Sequence, residues 1–314
     1  MDLGNKMILI KLLIYVLLAL SPFLFVGIIN KIKAVWAGRK GASVFQPYYD
    51  FFKLIRKGEV ISKTTSFVFQ ITPSINIAAA LFALMIVPIP CIGSIISFEG
   101  DFVLFAYVLG LSRFMTLIAA LDTGSSFEGM GASREVTFAS IVEPAFFIIV
   151  GTLALLTDQI SFAAIFAALN SSIGYTLLVK LLLFTSLFIM LLTESSRVPV
   201  DDPNTHLELT MIHEVMILDY SGPDLAFILY SSALKMLLIS LLIANLLVPV
   251  YLVVTQGLLL LVLVLVIVSY SVGIVESIIA RSRMSHVPQF VFLITALSLT
   301  AFAVVAFFLR GGIK

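Results

Sequence analysis

Five ionisable residues stand where an apolar chain should exclude them. Arg113, Glu143, Lys180, Lys235 and Glu276 lie inside or near the ends of long apolar runs, and Glu135 and Glu194 flank two of those runs. An ionised side chain at mid-bilayer costs about 2.5 kcal/mol at the least, so groups kept there are candidates for function. Two chemistries fit. The groups can neutralise one another as structural ion pairs between helices, or they can form a chain of titratable sites along a hydrated axis and relay protons. Burial raises the proton affinity of carboxylates and lowers that of amines, bringing both towards the physiological range. Both signs occur at depth and on successive runs, which favours the relay. Lys180 and Glu194 are 14 residues apart, within about 40° on one helix face and about 21 Å apart along it.

The elements that position these charges must themselves sit in lipid. Of 314 residues, 61% are hydrophobic and 12% charged, with a mean hydropathy of +1.14. A soluble domain of this size carries about 25% charge. The composition excludes a disordered chain, a nucleic-acid binder and, with Cys91 as the one cysteine, a disulfide-stapled fold. The net charge of +1 names no partner. Each crossing needs about 20 mostly apolar residues to traverse roughly 30 Å of hydrocarbon. The runs 7–30, 67–92, 102–121, 136–157, 173–193, 226–248, 252–276 and 290–310 qualify. They are too long and continuous for barrel strands. The expected fold is an all-α polytopic membrane protein, one bundle of about eight transmembrane helices over residues 1–314. With eight crossings both termini share a side. Twelve Lys and Arg fall in the loops at 31–66, 122–135, 194–225 and 281–289, against Lys6, Lys11, Arg310 and Lys314 on the other side. The positive-inside rule then makes the four loops cytoplasmic and both termini external, so attached machinery docks from inside.

The densest polar segment runs from Glu194 to Asp224. Pro199 and Pro203 stop the preceding helix, and Asp202 or Asn204 is placed to cap a short helix over about 205–218. On it His206 and His213 are seven apart and share a face. That is not the i, i+4 pair of a zinc-protease helix, so a docking surface is favoured over a metal site. The loop from Lys31 to Lys63 carries eight basic and two acidic residues. Tyr48, Phe51, Phe52, Leu54 and Ile55 beside Lys53, Arg56 and Lys57 point to an interfacial helix, and the positive-inside rule accounts for the charge without nucleic acid. Gly129, Gly131 and Ala132 are expected to form a tight turn before the fourth span. There is no GxxxxGK phosphate loop, no dinucleotide GxGxxG and no cysteine set for a cluster or zinc, so no cofactor is expected on this chain.

Three segments taken together, EGMGASREVTFASIVEP, ESSRVPVDDPNTHLELTMIHE and LDYSG, resemble the membrane subunit of group 4 energy-converting NiFe hydrogenases. That family includes subunit 4 of formate hydrogenlyase and its archaeal membrane-bound relatives, and its superfamily includes the H subunit of NADH:quinone oxidoreductase (complex I). The resemblance spans about residues 30–285. It rests on RKGASVFQPYYDFFK from Arg39 to Lys53, on Arg134 with Glu143, and on Glu194, Arg197, Pro199 and Asp201 leading to Glu208 and Tyr220-Ser221-Gly222. Ala42 stands where the quinone-reducing branch has proline, and Asn204 and His206 stand where it has glutamates, which sides with the hydrogenase branch.

The resemblance implies a non-catalytic, membrane-anchoring and proton-coupling subunit of a multisubunit respiratory complex in the plasma (inner) membrane. Its implied partners are a NiFe large subunit, iron–sulfur small and ferredoxin-like subunits that carry the metal centres, and antiporter-like membrane subunits. Glu143 is then the central relay, with Glu135, Lys180, Glu194, Lys235 and Glu276 beside it. Arg39, Asp50 and Arg134 hold loops through ion pairs. Arg197, Asp201, Asp202, His206, Glu208, His213 and Glu214 form the coupling loop. Open alternatives are the quinone-chamber subunit of complex I, a sulfur-reducing relative, a purely structural anchor and an independent transporter.

Overall fold

A computed structural model of the chain describes residues 3–169, 176–201, 211–280 and 286–310. Their helices are α1 (Leu3–Leu20), α2 (Pro22–Trp36), α3 (Gln46–Ile55), α4 (Phe67–Ile86), α5 (Asp101–Asp122), α6 (Ser126–Thr157), α7 (Phe162–Ala168), α8 (Thr176–Glu194), α9 (His213–Met216), α10 (Gly222–Leu247), α11 (Val254–Ile278) and α12 (Val287–Arg310). Among the described residues, α4, α5, α6, α8, α10, α11 and α12 are each long and apolar enough to cross a membrane. The pair α1–α2, bent by 41° at a short break, makes an eighth span. The expected bundle of about eight crossings is what the chain forms. The break has a covalent cause. Pro22 has no N–H for the Leu18 carbonyl four residues earlier, and the Ser21 backbone N–H (3.1 Å) and hydroxyl (2.8 Å) donate to it instead.

The bundle is organised around α10, which packs on α2, α3, α4, α8 and α11 and is the most deeply buried of the spans. The strongest pairings elsewhere are α4 with α5, α6 with α12, α2 with α11 and α8 with α12. At one end of the bundle, the Tyr15 hydroxyl donates to the Val87 carbonyl at 2.8 Å and the Asn245 amide to the Pro88 carbonyl at 2.6 Å. Asp101, fully buried at the start of α5, accepts from the Phe162 N–H at 2.8 Å and so seats α7.

At the other end lie the long polar loops, and here the structure corrects two sequence expectations. Gly129, Gly131 and Ala132 do not form a turn; they lie inside α6, which starts ten residues before the expected fourth span. At 32 residues this helix is about 48 Å long, so its first turns extend past the hydrocarbon and become a platform for the third loop. Gly131 is required there. A Cβ on it would sit 2.3 Å from Val215 Cγ1 and 2.9 Å from the Ile212 carbonyl oxygen. The helix expected over 205–218 is also different. Residues 202–210 lie outside the described residues, and beyond them only His213–Met216 is helical. Asp201 supports that turn, accepting from the N–H groups of Ile212 (3.0 Å) and His213 (3.1 Å); Asp202 and Asn204, the expected caps, lie outside the described residues.

A short helix is present where one was expected, α3, and it has no fully buried residue. Its Tyr48 hydroxyl donates to the Leu20 carbonyl at 2.6 Å, and its Phe51 ring lies 5.3 Å from Phe23 and 5.8 Å from Tyr230. The third loop is fixed from its far side by Tyr220. Pro73 inside α4 leaves the Phe69 carbonyl without its helical donor. The Tyr220 hydroxyl supplies that hydrogen bond at 2.9 Å while its ring stacks on Phe69 at 3.9 Å. Tyr220→Phe keeps the stack and orphans the carbonyl, so a loss of about 1–3 kcal/mol in stability is expected. Thermal unfolding of the purified protein in detergent would register it as a lowered midpoint.

Candidate functional site: a buried charge axis

The centre of the bundle is an arginine. Arg113, mid-way along α5, presents its three guanidinium nitrogens to three carboxylates on two other helices: Nε to Glu135 at 3.2 Å, Nη1 to Glu143 and Nη2 to Glu194. A planar guanidinium has five donors and keeps its charge, which suits it to this shared role where lysine would not serve. Glu135 and Glu143 come from α6 and Glu194 closes α8, so the contact ties three spans together. Lys235 of α10 lines the same small cavity as Arg113, Glu135, Glu194 and His213. Below it is an uncharged polar cluster between α4 and α5. The Ser112 hydroxyl donates to the Asn76 carbonyl oxygen (2.8 Å), and the Asn76 amide donates to Thr116 (2.9 Å).

A second charge cluster lies three residues along the chain from Glu194. Glu276, near the end of α11, has a fully buried side chain and pairs with Lys33 of α2 (2.8 Å) and Arg197 of the third loop (3.4 Å). Breaking a buried pair by removing one partner typically costs about 3–5 kcal/mol, because the charge left behind is desolvated. Glu276 therefore depends on Lys33 and Arg197 together.

Cavities connect them. One of about 970 Å³ lies between α2, α3, α10 and the third loop, and Asn30, Asp50, Arg197, His213, Glu214 and Ser232 contribute to its wall. The cavity of about 470 Å³ beside Lys235 shares Ser196, His213 and Ser232 with it. A third, about 650 Å³, opens between α5 and α6, with Arg113, Glu143 and Glu194 against Phe105, Tyr107 and Phe147. Glu143 has 52% of its side chain exposed there, although it sits within a span. Pockets thus follow one another from the loop side, past His213, to Arg113, and the last, mainly apolar, opens at Glu143.

The loop groups that face this axis titrate abnormally. Burial, reinforced by Asp201 and opposed by Arg197, pushes the Glu214 carboxyl up to about 7. Burial and the Lys235 charge push His213 down to about 4, against the pull of Glu194, and its buried Nε2 has no hydrogen-bond partner among the described residues.

The sequence reading named most of these residues but not their grouping. Glu135, Glu143, Glu194 and Lys235 come together. Glu276 belongs to the second cluster with Arg197. Lys180 joins neither: it is half-buried at the end of α8 opposite Glu194, with no ion pair among the described residues. Asp202, His206 and Glu208 lie outside the described residues. The loop ion pairs expected of Arg39 and Asp50 do not form among the described residues. Asp50 accepts from Gln46 one helical turn away (2.9 Å), and Arg39 is exposed beyond the end of α2. Arg134 holds its loop through the Met211 carbonyl at 2.8 Å. Not anticipated were Arg113 as the hub, Lys33 as a partner of Glu276, and the burial of Glu128, which accepts from the Asp219 N–H at 3.3 Å. A lone Asn76 in an apolar run was a usable signal for the polar cluster. Among the described residues no three of His, Cys, Asp and Glu gather as metal ligands do.

A multi-pass membrane protein with a buried, branched charge axis under a structured polar loop is the class that this fold and site define. The chain belongs to the NADH dehydrogenase family, whose sequence model matches residues 8–307. It is 32% identical to hydrogenase-4 component C of Escherichia coli (strain K12) over 234 residues, 74% of this chain and 73% of that protein. It is 28% identical to formate hydrogenlyase subunit 4 of the same organism over 286 residues, 87% of this chain and 90% of the relative. Its fold matches a chain in the membrane-bound sulfane sulfur reductase, an archaeal respiratory membrane complex, with a TM-score of 0.81. That match has 20% sequence identity and covers 96% of this chain and 99% of the other.

Glu214 gives a pH signature. Its proton affinity is higher folded than unfolded, so its contribution to loop stability is full below about pH 4.5 and is lost as pH rises through about 7. Between pH 6 and 8 the opening equilibrium of the 211–217 segment should rise about tenfold. Hydrogen exchange corrected for its intrinsic pH dependence measures this, and Glu214→Gln should flatten it.

Proposed function

We propose that this chain is the membrane-anchoring, proton-coupling subunit of a multisubunit respiratory oxidoreductase of the membrane-bound hydrogenase type. The loops around α3 and residues 194–221 form the floor on which a NiFe large subunit with iron–sulfur small and ferredoxin-like subunits docks. The metal centres reside in those partners. Antiporter-like membrane subunits continue the axis from Glu143. The protein lies in the plasma membrane with these loops cytoplasmic and both termini outside, as the distribution of Lys and Arg favours.

The observation that carries this reading is Arg113 with its three carboxylates, reached by polar cavities from the loop side and open at Glu143. A carboxylate half exposed at the depth of a span requires a polar neighbour, which an adjoining membrane subunit supplies. The mechanism is charge coupling. Redox turnover above the loop changes the protonation of Glu214 or its neighbours. His213 and Lys235 transmit the altered field to the carboxylates around Arg113, whose proton affinities shift together because they share one cation.

A second reading, a quinone-chamber subunit, has one observation in its favour: an open cavity beneath the loop lined by Phe23 and Phe51 together with Asp50, Arg197 and His213, a mostly apolar wall with a few polar groups as in small-molecule sites. Crosslinking of a photoreactive quinone to its wall would support that reading, and full turnover without quinone would remove it.

For the main reading, Glu143→Gln and Lys235→Met in the assembled complex should leave subunit composition intact. The rate of ion movement during turnover, followed in proteoliposomes with a pH- or sodium-sensitive dye, should fall on the order of a hundredfold, as when a positioned proton donor is lost. Unchanged pumping in both variants would leave the chain as a structural anchor.

A further inference from the structure

Between the two charge clusters stands a residue with an unusual backbone. Helix α8 ends at Glu194. Beyond it the Arg197 N–H donates to the Leu192 carbonyl at 2.8 Å and the Ser196 N–H to the Thr193 carbonyl at 3.2 Å. This pair of bonds is a Schellman ending, which puts the residue making the second of them in the left-handed region and usually fills that place with glycine. Here the place belongs to Ser196, at a φ of 51°. A side chain held in that region costs backbone energy, and such costs gather at functional positions.

The hydroxyl carried there is uncommitted. The neighbouring hydroxyls turn back into α8, Thr193 donating to the Ile189 carbonyl at 3.0 Å and Ser195 to the Leu191 carbonyl. Ser196 is half-buried, and its hydroxyl has no hydrogen bond among the described residues. It borders three cavities. One is the loop-side cavity with Arg197 and Glu214 in its wall, another is the cavity beside Lys235, and the smallest lies against Glu135, Glu194 and Asp201. Among the described residues Ser196 alone lies in all three walls, and it alone joins the first to the smallest. His213 and Ser232 join the loop-side cavity to the one beside Lys235. An imidazole becomes cationic while it holds a transferred proton, which burial and the Lys235 charge oppose at His213. A hydroxyl rotates, donates and accepts, and so can pass a proton on while staying neutral.

We propose that the Ser196 hydroxyl is the branch point of the proton path, taking protons from the loop-side cavity and giving them to Glu135 and Glu194. This rests on the coupling role proposed above. An incoming proton, from a loop-side carboxyl or a water, forms a new bond to Oγ. The existing O–H bond breaks towards a carboxylate oxygen or an intervening water, so the serine ends as it began. The carboxylate that gains the proton loses one negative charge against Arg113. Water in these polar-walled cavities covers the remaining distance.

The assembled complex in proteoliposomes, with a pH- or sodium-sensitive dye read during turnover, tests this. Ser196→Ala should lower the rate of ion movement about tenfold, less than the loss of a positioned proton donor, because His213 and Ser232 keep a second passage open. Ser196→Gly also removes the hydroxyl, suits the left-handed backbone, and should lower the rate as much. Ser196→Thr keeps the hydroxyl on the same strained backbone and should retain most of the rate. A purely structural role predicts the opposite order, with glycine tolerated and threonine impaired. Ser232→Ala should cost less than Ser196→Ala. A wild-type rate in Ser196→Gly, or an equal loss in Ser232→Ala and Ser196→Ala, would overturn the proposal; if Ser196→Thr fails to assemble, the glycine variant decides. Loss of ion movement in Glu143→Gln beside a wild-type rate in Ser196→Gly leaves the coupling role standing without Ser196. Wild-type rates in both remove the two together.

Discussion

Sharing of one guanidinium by three carboxylates, in the depth of an apolar bundle, is the constraint on which the rest depends. Arg113 has enough donors to satisfy Glu135, Glu143 and Glu194 at once, yet it carries one positive charge against three acids. Full ionisation is affordable there only with help from Lys235, from water in the adjoining cavities, or from protons held on the carboxylates. The set is consequently poised. A change in charge at one member alters the proton affinity of the others, and the spans that carry them cannot separate without exposing bare charge to lipid.

The architecture on the loop side holds that cluster beneath an ordered set of backbone contacts. The extension of α6 beyond the hydrocarbon, with Gly131 allowing close approach, brings the third loop down onto the bundle. Asp201, Glu128 and Tyr220 each bond to backbone at a separate point of the loop or beneath it. Arg197 is anchored by Glu276, so the segment from Glu194 to Arg197 is fixed at both ends by charge clusters. These contacts hold His213 and Glu214 against the end of the axis, which is the arrangement the proposed coupling requires.

Much of this was legible in the chain. Hydropathy identified the spans because lipid demands continuous apolar runs, and the charges within them stood out for the same reason. The aromatic and basic pattern of α3 read correctly as a short helix. Pairing was not legible: Arg113 meets Glu194 across 81 residues of sequence, and Lys33 lies far from Glu276. Those contacts arise from helix packing, which spacing along one chain does not encode. The glycines in EGMGASRE looked like a turn by local propensity, yet tertiary packing on the loop holds them in helix. Lys180 shared a helix face with Glu194, but about 21 Å of axial rise separates them.

Redox-triggered infrared difference spectroscopy of the assembled complex addresses the central claim directly, because protonated and ionised carboxyl groups absorb at different frequencies. A carboxyl band that appears or vanishes on turnover, and that is lost in Glu194→Gln while the complex stays assembled, is the expected result. Carboxyl groups that stay spectroscopically silent throughout turnover would contradict a titrating role for the Arg113 cluster.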